Sequence, residues 1–267
     1  MFDLHKSSKY PLITLLSDFG IRDEYVAVMK GAIAKINPTA RVVDITHQIP
    51  PQSIATARFC LMNAYPYFPS GTVHIAVVDP GVGGKRRAVA VELAQGFIVA
   101  PDNGLLDGVL SQDSVIAAVE LTNPEYWLTS QPSTTFHGRD IFAPVGAHLA
   151  NGISLQKVGQ KINPEGLVKL DLPKCAQMDD SVVGCIQYID HFGNLVTNIP
   201  RSYLKDINWN VEIEGNIIKA RETYSDVKIG ETLALIGSHN WVEIAVNSGN
   251  ARLELGVDLG SKVRISW

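Results

Sequence analysis

The chain has 267 residues, of which 46% are hydrophobic and 19% charged, with a net charge of −4. That length can bury the core of one large domain or two smaller ones. The charge gives no basic field for nucleic acid or anionic lipid, so neither is an expected partner, and apolar stretches such as VHIAVV fall far short of the roughly 20 residues that span a membrane.

Near the N-terminus, lysines precede the run LITLL, but SDFG ends that run too soon for a signal peptide. Residues 12–16 therefore read as a first strand. Residues 23–36 (DEYVAVMKGAIAKI) place Tyr25, Val28, Met29, Ala32, Ile33 and Ile36 at helical spacing, and Asn37-Pro38 closes the element. A strand at RVVDI, a helix at SIATARFCLMNAY and a strand at TVHIAVV follow. This alternation predicts a mostly parallel sheet flanked by helices. Further strands are expected at AVAVEL and GFIVA, then helices at GLLDGVL and DIFAPVGAHLA.

The texture changes near residues 162–180, where INPEG, DLPK and MDDS cluster turn residues. Short alternating strands come next, at VVGCIQYID, VEIEGNIIKA with a tight Gly215-Asn216 turn, TLALIG, WVEIAV and KVRISW. They predict a C-terminal antiparallel β domain resembling a barrel or sandwich. The expected division is residues 1–175 for the α/β domain and 176–267 for the β domain.

Several features are decoys. SDFG resembles the metal-binding triplet of protein kinases but lacks the accompanying motifs. GVGGKR has Arg86 where a dinucleotide fold needs a third glycine, and Asp79 and Arg86 where a P-loop needs Gly and Ser or Thr. His5, His47, His74, His148, His191 and His239 have no metal-ligand spacing and read as surface or packed residues. Cys60, Cys175 and Cys185 form no CxxC pair, which suits a reducing, cytoplasmic setting.

Ligands of open parallel sheets bind beyond the carboxyl ends of the strands. Asp18, Asp44 and Asp79 fall there on three successive strands. One such aspartate is an ordinary cap or Asx turn; three at one edge point to a ligand. Asp79 opens the glycine-rich turn of VVDPGVGGKRR, where Arg86 can return to it as a buried ion pair, and Arg87 adds basic charge toward the same loop. Asn103 is expected to cap the helix that follows it. TTFHGRDIFAP crowds His137, Arg139 and Asp140 at the start of a helix, with Asp140 expected as cap and Arg139 as its ion partner.

Six stretches together resemble the S-adenosyl-L-methionine (SAM) hydroxide adenosyltransferases, a family related to SAM-dependent halogenating enzymes. They are SDFGIRDEYVAVMKGAI, VVDPGVGGKRR, APDNGLL, TTFHGRDIFAP, IDHFGNLVTNI and VEIAVNSGNA, in order from residue 17 to residue 251. The resemblance implies cleavage of SAM by water or hydroxide to adenosine and L-methionine, without metal or cofactor, SAM being the substrate. It implies Asp79, Arg86 and His137 as the catalytic set, with the proton acceptor either Asp79 or His137. It also implies Asp18 on the ribose hydroxyls, Asp190 and Ser238 on the methionine end, Asn194 on the adenine edge and Tyr224 stacked on the base. Asp23 and Val246 complete the implied substrate contacts. A homotrimer is implied, with SAM between the N-terminal domain of one subunit and the C-terminal domain of its neighbour. Asp79 stands where the halogenases have tyrosine and Gly138 where the fluorinating enzymes have serine, and both favour water over halide. His239 stands where an arginine approaches the carboxylate. Three alternatives remain open at this point: a SAM or adenosine sensor without turnover, a metal-dependent hydrolase on Asp18, Asp79 and His137, and a halogenase.

Overall fold

The computed structural model describes residues 11–204 and 208–267; His5 and the lysine-bearing start of the chain lie outside them. The chain divides into two compact units, Met1–Leu170 and Asp171–Trp267.

In the first unit the strands are β1 (Leu12–Ser17), β2 (Arg41–Thr46), β3 (Thr72–Val77), β4 (Ala88–Leu93), β5 (Gly96–Pro101), β6 (Val115–Glu120) and β7 (Gln160–Ile162). The helices are α1 (Tyr25–Ile36), α2 (Ile54–Ala64), α3 (Asp107–Leu110) and α4 (Ala143–Ala150). The sheet runs β2-β1-β3-β5-β4-β6-β7. Its first four strands are mutually parallel and the remainder antiparallel.

Strands covered on both faces must be apolar on both, and the inner strands β1, β3, β5 and β4 largely are. Ile13, Leu15, Val73 and Ile75 pack toward α1 and α4, while Leu16, Ala76 and Val78 pack toward α2. Two polar groups interrupt the core but satisfy each other: Thr14 Oγ1 lies 2.8 Å from His74 Nδ1. Burial pushes the His74 imidazole down to about 4, which makes it a packed neutral histidine, as expected for a motif-free one.

The differences from expectation are local. The helix expected at 104–110 is confined to Asp107–Leu110, because Asn103 makes a turn first, accepting from Leu105 N–H at 3.2 Å. The element expected at 140–150 begins earlier, as a wide π-helical turn over Gly138–Phe142 that runs into α4. β6 and β7 escaped the pattern reading, β6 because VIAAVE does not alternate and β7 because three residues carry no period.

The second unit holds β8 (Ala176–Gln177), β9 (Ser181–Ile189), β10 (Leu195–Pro200), β11 (Asn210–Ile213), β12 (Asn216–Lys219), β13 (Thr232–Ile236), β14 (Trp241–Val246), α5 (Ala251–Leu255) and β15 (Lys262–Ser266). The order is β12-β11-β15-β9-β10-β14-β13, with β8 on β9. An Ala220–Ala234 bridge brings the two ends of that path together, so the antiparallel sheet nearly closes as a barrel. Closure removes edges that would otherwise stay unpaired. Inside lie Val182, Ile186, Leu195, Val211, Ile244 and Val263. The β11–β12 turn is Glu214-Gly215 rather than Gly215-Asn216, because Ile213 pairs with Asn216 and the two turn residues take φ of 45° and 76°.

Candidate active site

β3 delivers Asp79 to the carboxyl edge of the sheet, and a tight turn follows. Val82 N–H donates to the Asp79 carbonyl at 3.1 Å and Gly84 N–H to the Gly81 carbonyl at 3.0 Å. Gly83 has a φ of +73°, and a Cβ there would stand 2.2 Å from the Thr134 carbonyl oxygen. Only glycine allows this turn to lie flat against the loop that carries His137.

The turn brings Arg86 back over Asp79. Arg86 Nε donates to both Asp79 oxygens at 2.9 Å, and Nη2 donates to Oδ2 as well. The pair is enclosed, with side-chain exposures of 5% for Asp79 and 12% for Arg86. Arg86 Nη2 also lies 2.7 Å from His137 Nδ1, and the guanidinium stacks over the Phe142 ring at 5.4 Å. The three residues that the sequence nominated are therefore one connected group, with arginine in the middle.

The arrangement fixes a tautomer. A guanidinium has donors only, so His137 Nδ1 must accept, and the imidazole proton sits on Nε2. Burial lowers the His137 pKa and the neighbouring Arg86 charge lowers it further, against opposing pulls from Asp79 and Asp140. His137 is neutral at pH 7, with Nδ1 occupied and Nε2–H free to donate.

The surrounding contacts explain the crowding in TTFHGRD. Asp140 is buried and pairs with Arg139, whose Nε reaches Oδ1 at 2.6 Å. It does not cap a helix; its Oδ2 accepts from Ser133 N–H at 2.8 Å and staples the preceding loop. A Cβ on Gly138 would stand 3.2 Å from Met29 Sδ and from Phe136 Cε2 and 3.3 Å from Phe19 Cε2, so a larger residue beside His137 would require these side chains to give by a few tenths of an ångström. Asn103, expected as a cap, also reaches across to the Val78 carbonyl at 2.8 Å and steadies the end of β3.

Two expected partners lie elsewhere. Arg87 turns away from Asp79 and pairs with buried Asp102, Nε to Oδ2 at 2.9 Å. Asp44 is bound by Lys30 at 2.6 Å rather than joining the Asp79 group. Asp18 follows β1 and accepts from Gln52 N–H at 2.8 Å. Asp23 is exposed ahead of α1.

The second unit carries a cavity of about 420 Å³, which Asp190, Asn194, Tyr224 and Ser238 line together. Asp190 Oδ1 accepts from Phe192 N–H at 2.9 Å and Asn194 N–H at 2.8 Å. Its Oδ2 accepts from Asn194 Nδ2 at 2.9 Å. With four lone-pair sites on a carboxylate, one on Oδ2 remains. The same bond orients the Asn194 amide, leaving its Oδ1 as an acceptor. Tyr224 donates its hydroxyl to Glu243 Oε1 at 2.7 Å; burial and this carboxylate raise the phenol pKa well above its ordinary value. His239 Nε2 lies 3.2 Å from Glu243 Oε2, and Trp241 N–H donates to its Nδ1 at 3.2 Å. Val246 is outside the lining, and its side chain packs in the barrel core.

Glu243, 4% exposed, was missed by the sequence reading. The available signal was parity: in WVEIAV, Val242, Ile244 and Val246 alternate into the core, which leaves a lone carboxylate on the opposite face. There Glu243 pairs across the sheet with Val196 and Leu235, two other lining residues.

A part-buried acid–guanidinium–imidazole group on one unit and a cavity with several polar side chains on the other are features of a site for small molecules. Profiles of the SAM hydroxide adenosyltransferase N-terminal and C-terminal domains match residues 13–159 and 184–264. The chain belongs to that family. It is 41% identical to an (R)-S-adenosyl-L-methionine hydrolase of Salinispora tropica, covering 96% of this chain and 98% of that one. A fluorinase of Nocardia brasiliensis is 28% identical, over 97% of this chain and 98% of its own. The crystal structure of an uncharacterized conserved protein from Thermotoga maritima aligns with a TM-score of 0.90 at 36% identity, over 96% of this chain and all of that one. Among the described residues no helix is long and apolar enough to cross a membrane, and no three His, Cys, Asp or Glu side chains converge as a metal site.

Proposed function

We propose that this protein hydrolyses S-adenosyl-L-methionine to adenosine and L-methionine by attack of water at C5′ of the ribose. The observation that carries this reading is the Asp79–Arg86–His137 group, together with membership of the family. The sulfonium already makes C5′ electrophilic, and methionine departs as a neutral thioether that takes the C–S electron pair. No acid is required for the leaving group. What the site must supply is a placed, polarised water.

Arg86 caps His137 Nδ1, so the remaining ring nitrogen can donate but not accept. That favours Asp79 as the proton acceptor, with His137 Nε2–H fixing the water from the other side. Arg86, gripping the carboxylate through Nε and Nη2, sets its direction. A base so placed contributes about 10²- to 10⁴-fold, and in-line orientation contributes beyond that. Every proton movement falls to these residues, and the reaction is proposed as metal-independent on that ground.

Asp18 would accept from the ribose hydroxyls, and Asp23 would lie toward the amino acid portion. Asn194 Oδ1 would accept from the adenine amino group while Tyr224 stacks on the base. The vacant site on Asp190 Oδ2 suits the methionine ammonium, with Ser238 beside it. These residues are shared between the two units, in keeping with a homotrimer whose SAM site is formed by neighbouring subunits. Cys60, Cys175 and Cys185 are free thiols, which suits the cytoplasm.

The test is incubation with SAM in ¹⁸O-labelled water. Labelled oxygen is expected in the 5′-hydroxyl of released adenosine. Absence of turnover would make the pocket a sensor, and a halogenated nucleoside in the presence of halide would make it a halogenase.

A further inference from the structure

The loop carrying Asp18 is held by a residue that the reaction itself does not use. Ser17 Oγ lies 2.7 Å from His47 Nδ1, and the His47 carbonyl accepts from Gly20 N–H at 2.7 Å. His47 therefore grips the chain on both sides of Asp18, through its ring at 17 and through its backbone at 20. Phe19 N–H adds a bond to Ser17 Oγ at 3.3 Å. The segment after His47 also supplies Gln52, whose N–H donates to Asp18 Oδ2 at 2.8 Å.

His47 is braced in turn. Its Nε2 is 3.1 Å from Asp44 Oδ1, off the line of a well-aligned hydrogen bond, so the contact is mainly electrostatic. Asp44 is tied to Lys30 on α1 at 2.6 Å. A carboxylate at Nε2 keeps the ring proton on that nitrogen, which leaves Nδ1 to accept from the Ser17 hydroxyl. The Ser17 oxygen then accepts from Phe19 N–H, so the hydroxyl donates once and accepts once, and both contacts run in the right sense.

Serine, histidine and aspartate in contact invite a nucleophilic reading, but Ser17 is fully buried. No substrate atom can approach its oxygen, and the group acts on the loop instead.

We propose that His47, braced by Asp44, is a positioning residue that aims the Asp18 carboxylate at the ribose hydroxyls of the substrate. This rests on the reading of Asp18 given above. Its consequence is that His47 governs discrimination by the ribose hydroxyls, while contributing nothing to recognition of the base.

The experiment compares binding of adenosine and 2′,3′-dideoxyadenosine to the intact protein by calorimetry. The wild type is expected to favour adenosine by about tenfold or more, as for hydrogen bonds to a charged acceptor. His47→Ala should lose most of that preference while its affinity for dideoxyadenosine stays within about twofold, since stacking and base contacts are untouched. His47→Asn, which keeps a polar atom near the Nδ1 position, should restore part of it. Asp44→Asn, on the surface, should fall between wild type and His47→Ala. If His47→Ala does not fold, Ser17→Ala and Asp44→Asn decide. Unchanged discrimination in the variants, or a parallel loss of affinity for both nucleosides, would overturn the proposal. A wild type that binds both alike would overturn the Asp18 assignment and this inference with it. A wild type that discriminates but does not cleave SAM would remove only the hydrolase reading.

Discussion

The two units treat their polar groups in opposite ways. In the first, the Asp79 carboxylate already holds Arg86, the guanidinium already holds His137, and the group is assembled before any ligand arrives. In the second, Asp190 Oδ2 and Asn194 Oδ1 keep unused acceptor sites facing a cavity of about 420 Å³. The difference separates two tasks. On the proposed reading, chemistry is served by groups that need not move when charge develops, whereas recognition is served by groups that stay unsatisfied until the ligand fills them. Tyr224 belongs to both styles, its ring open to the cavity and its hydroxyl already spent on Glu243.

The sharpest way to break this contrast is to alter the assembled group. Asp79→Asn keeps the shape of the pair but removes the acceptor, and SAM turnover should fall by about 10² or more, with adenosine affinity within about threefold. A large loss of affinity instead would mean that Asp79 binds rather than reacts. His137→Asn should show a smaller loss and should shift the acid limb of the kcat profile to lower pH. In the wild type that limb should lie below pH 6.5, because burial and Arg86 push the imidazole pKa down. A limb above that value would contradict the neutral, Arg86-capped ring.

Acid should also separate the units. His74 in the first unit is depressed from 6.5 to about 4 by burial. Its neutral form is favoured by the fold, so the corresponding stability is complete above pH 6.5 and is lost as pH falls toward 4, up to roughly 3 kcal/mol in all. Calorimetric scans should show the first unit weakening over this window, and His74→Gln should flatten the slope. The smallest expected effect is in the cavity. Tyr224→Ala should weaken adenosine binding by about three- to tenfold with kcat nearly unchanged, the usual worth of one stacked ring; an equal drop in kcat would place Tyr224 in the chemistry.

Much of this was legible from the residues alone. The periods of 3.6 and 2 located α1, α2 and the central strands, because those elements bury a whole face. Asp79, Arg86 and His137 could be named together because their motifs were distinctive, and Asp190, Asn194, Tyr224 and Ser238 do line one cavity. The losses share a cause. Arg87 and Arg86 are adjacent and chemically alike, and only the presence of Asp102 across the β4–β5 hairpin sends one away from the site. Glu243 and His47 act through partners 19 and 30 residues distant in sequence, and no local pattern carries such pairings. The π-helical turn at Gly138 is likewise set by what packs on it, namely Phe19, Met29 and Phe136, not by helix propensity.

The flat seating of Gly83 on the Thr134 carbonyl gives the molecule a lever. Two stretches of chain half a hundred residues apart are pressed together there with no spare thickness, so a single methyl group would act as a wedge beneath the reactive trio. If the proposed roles hold, such a shim would silence turnover while Asp79, Arg86 and His137 were all still present, and would leave the barrel as it was.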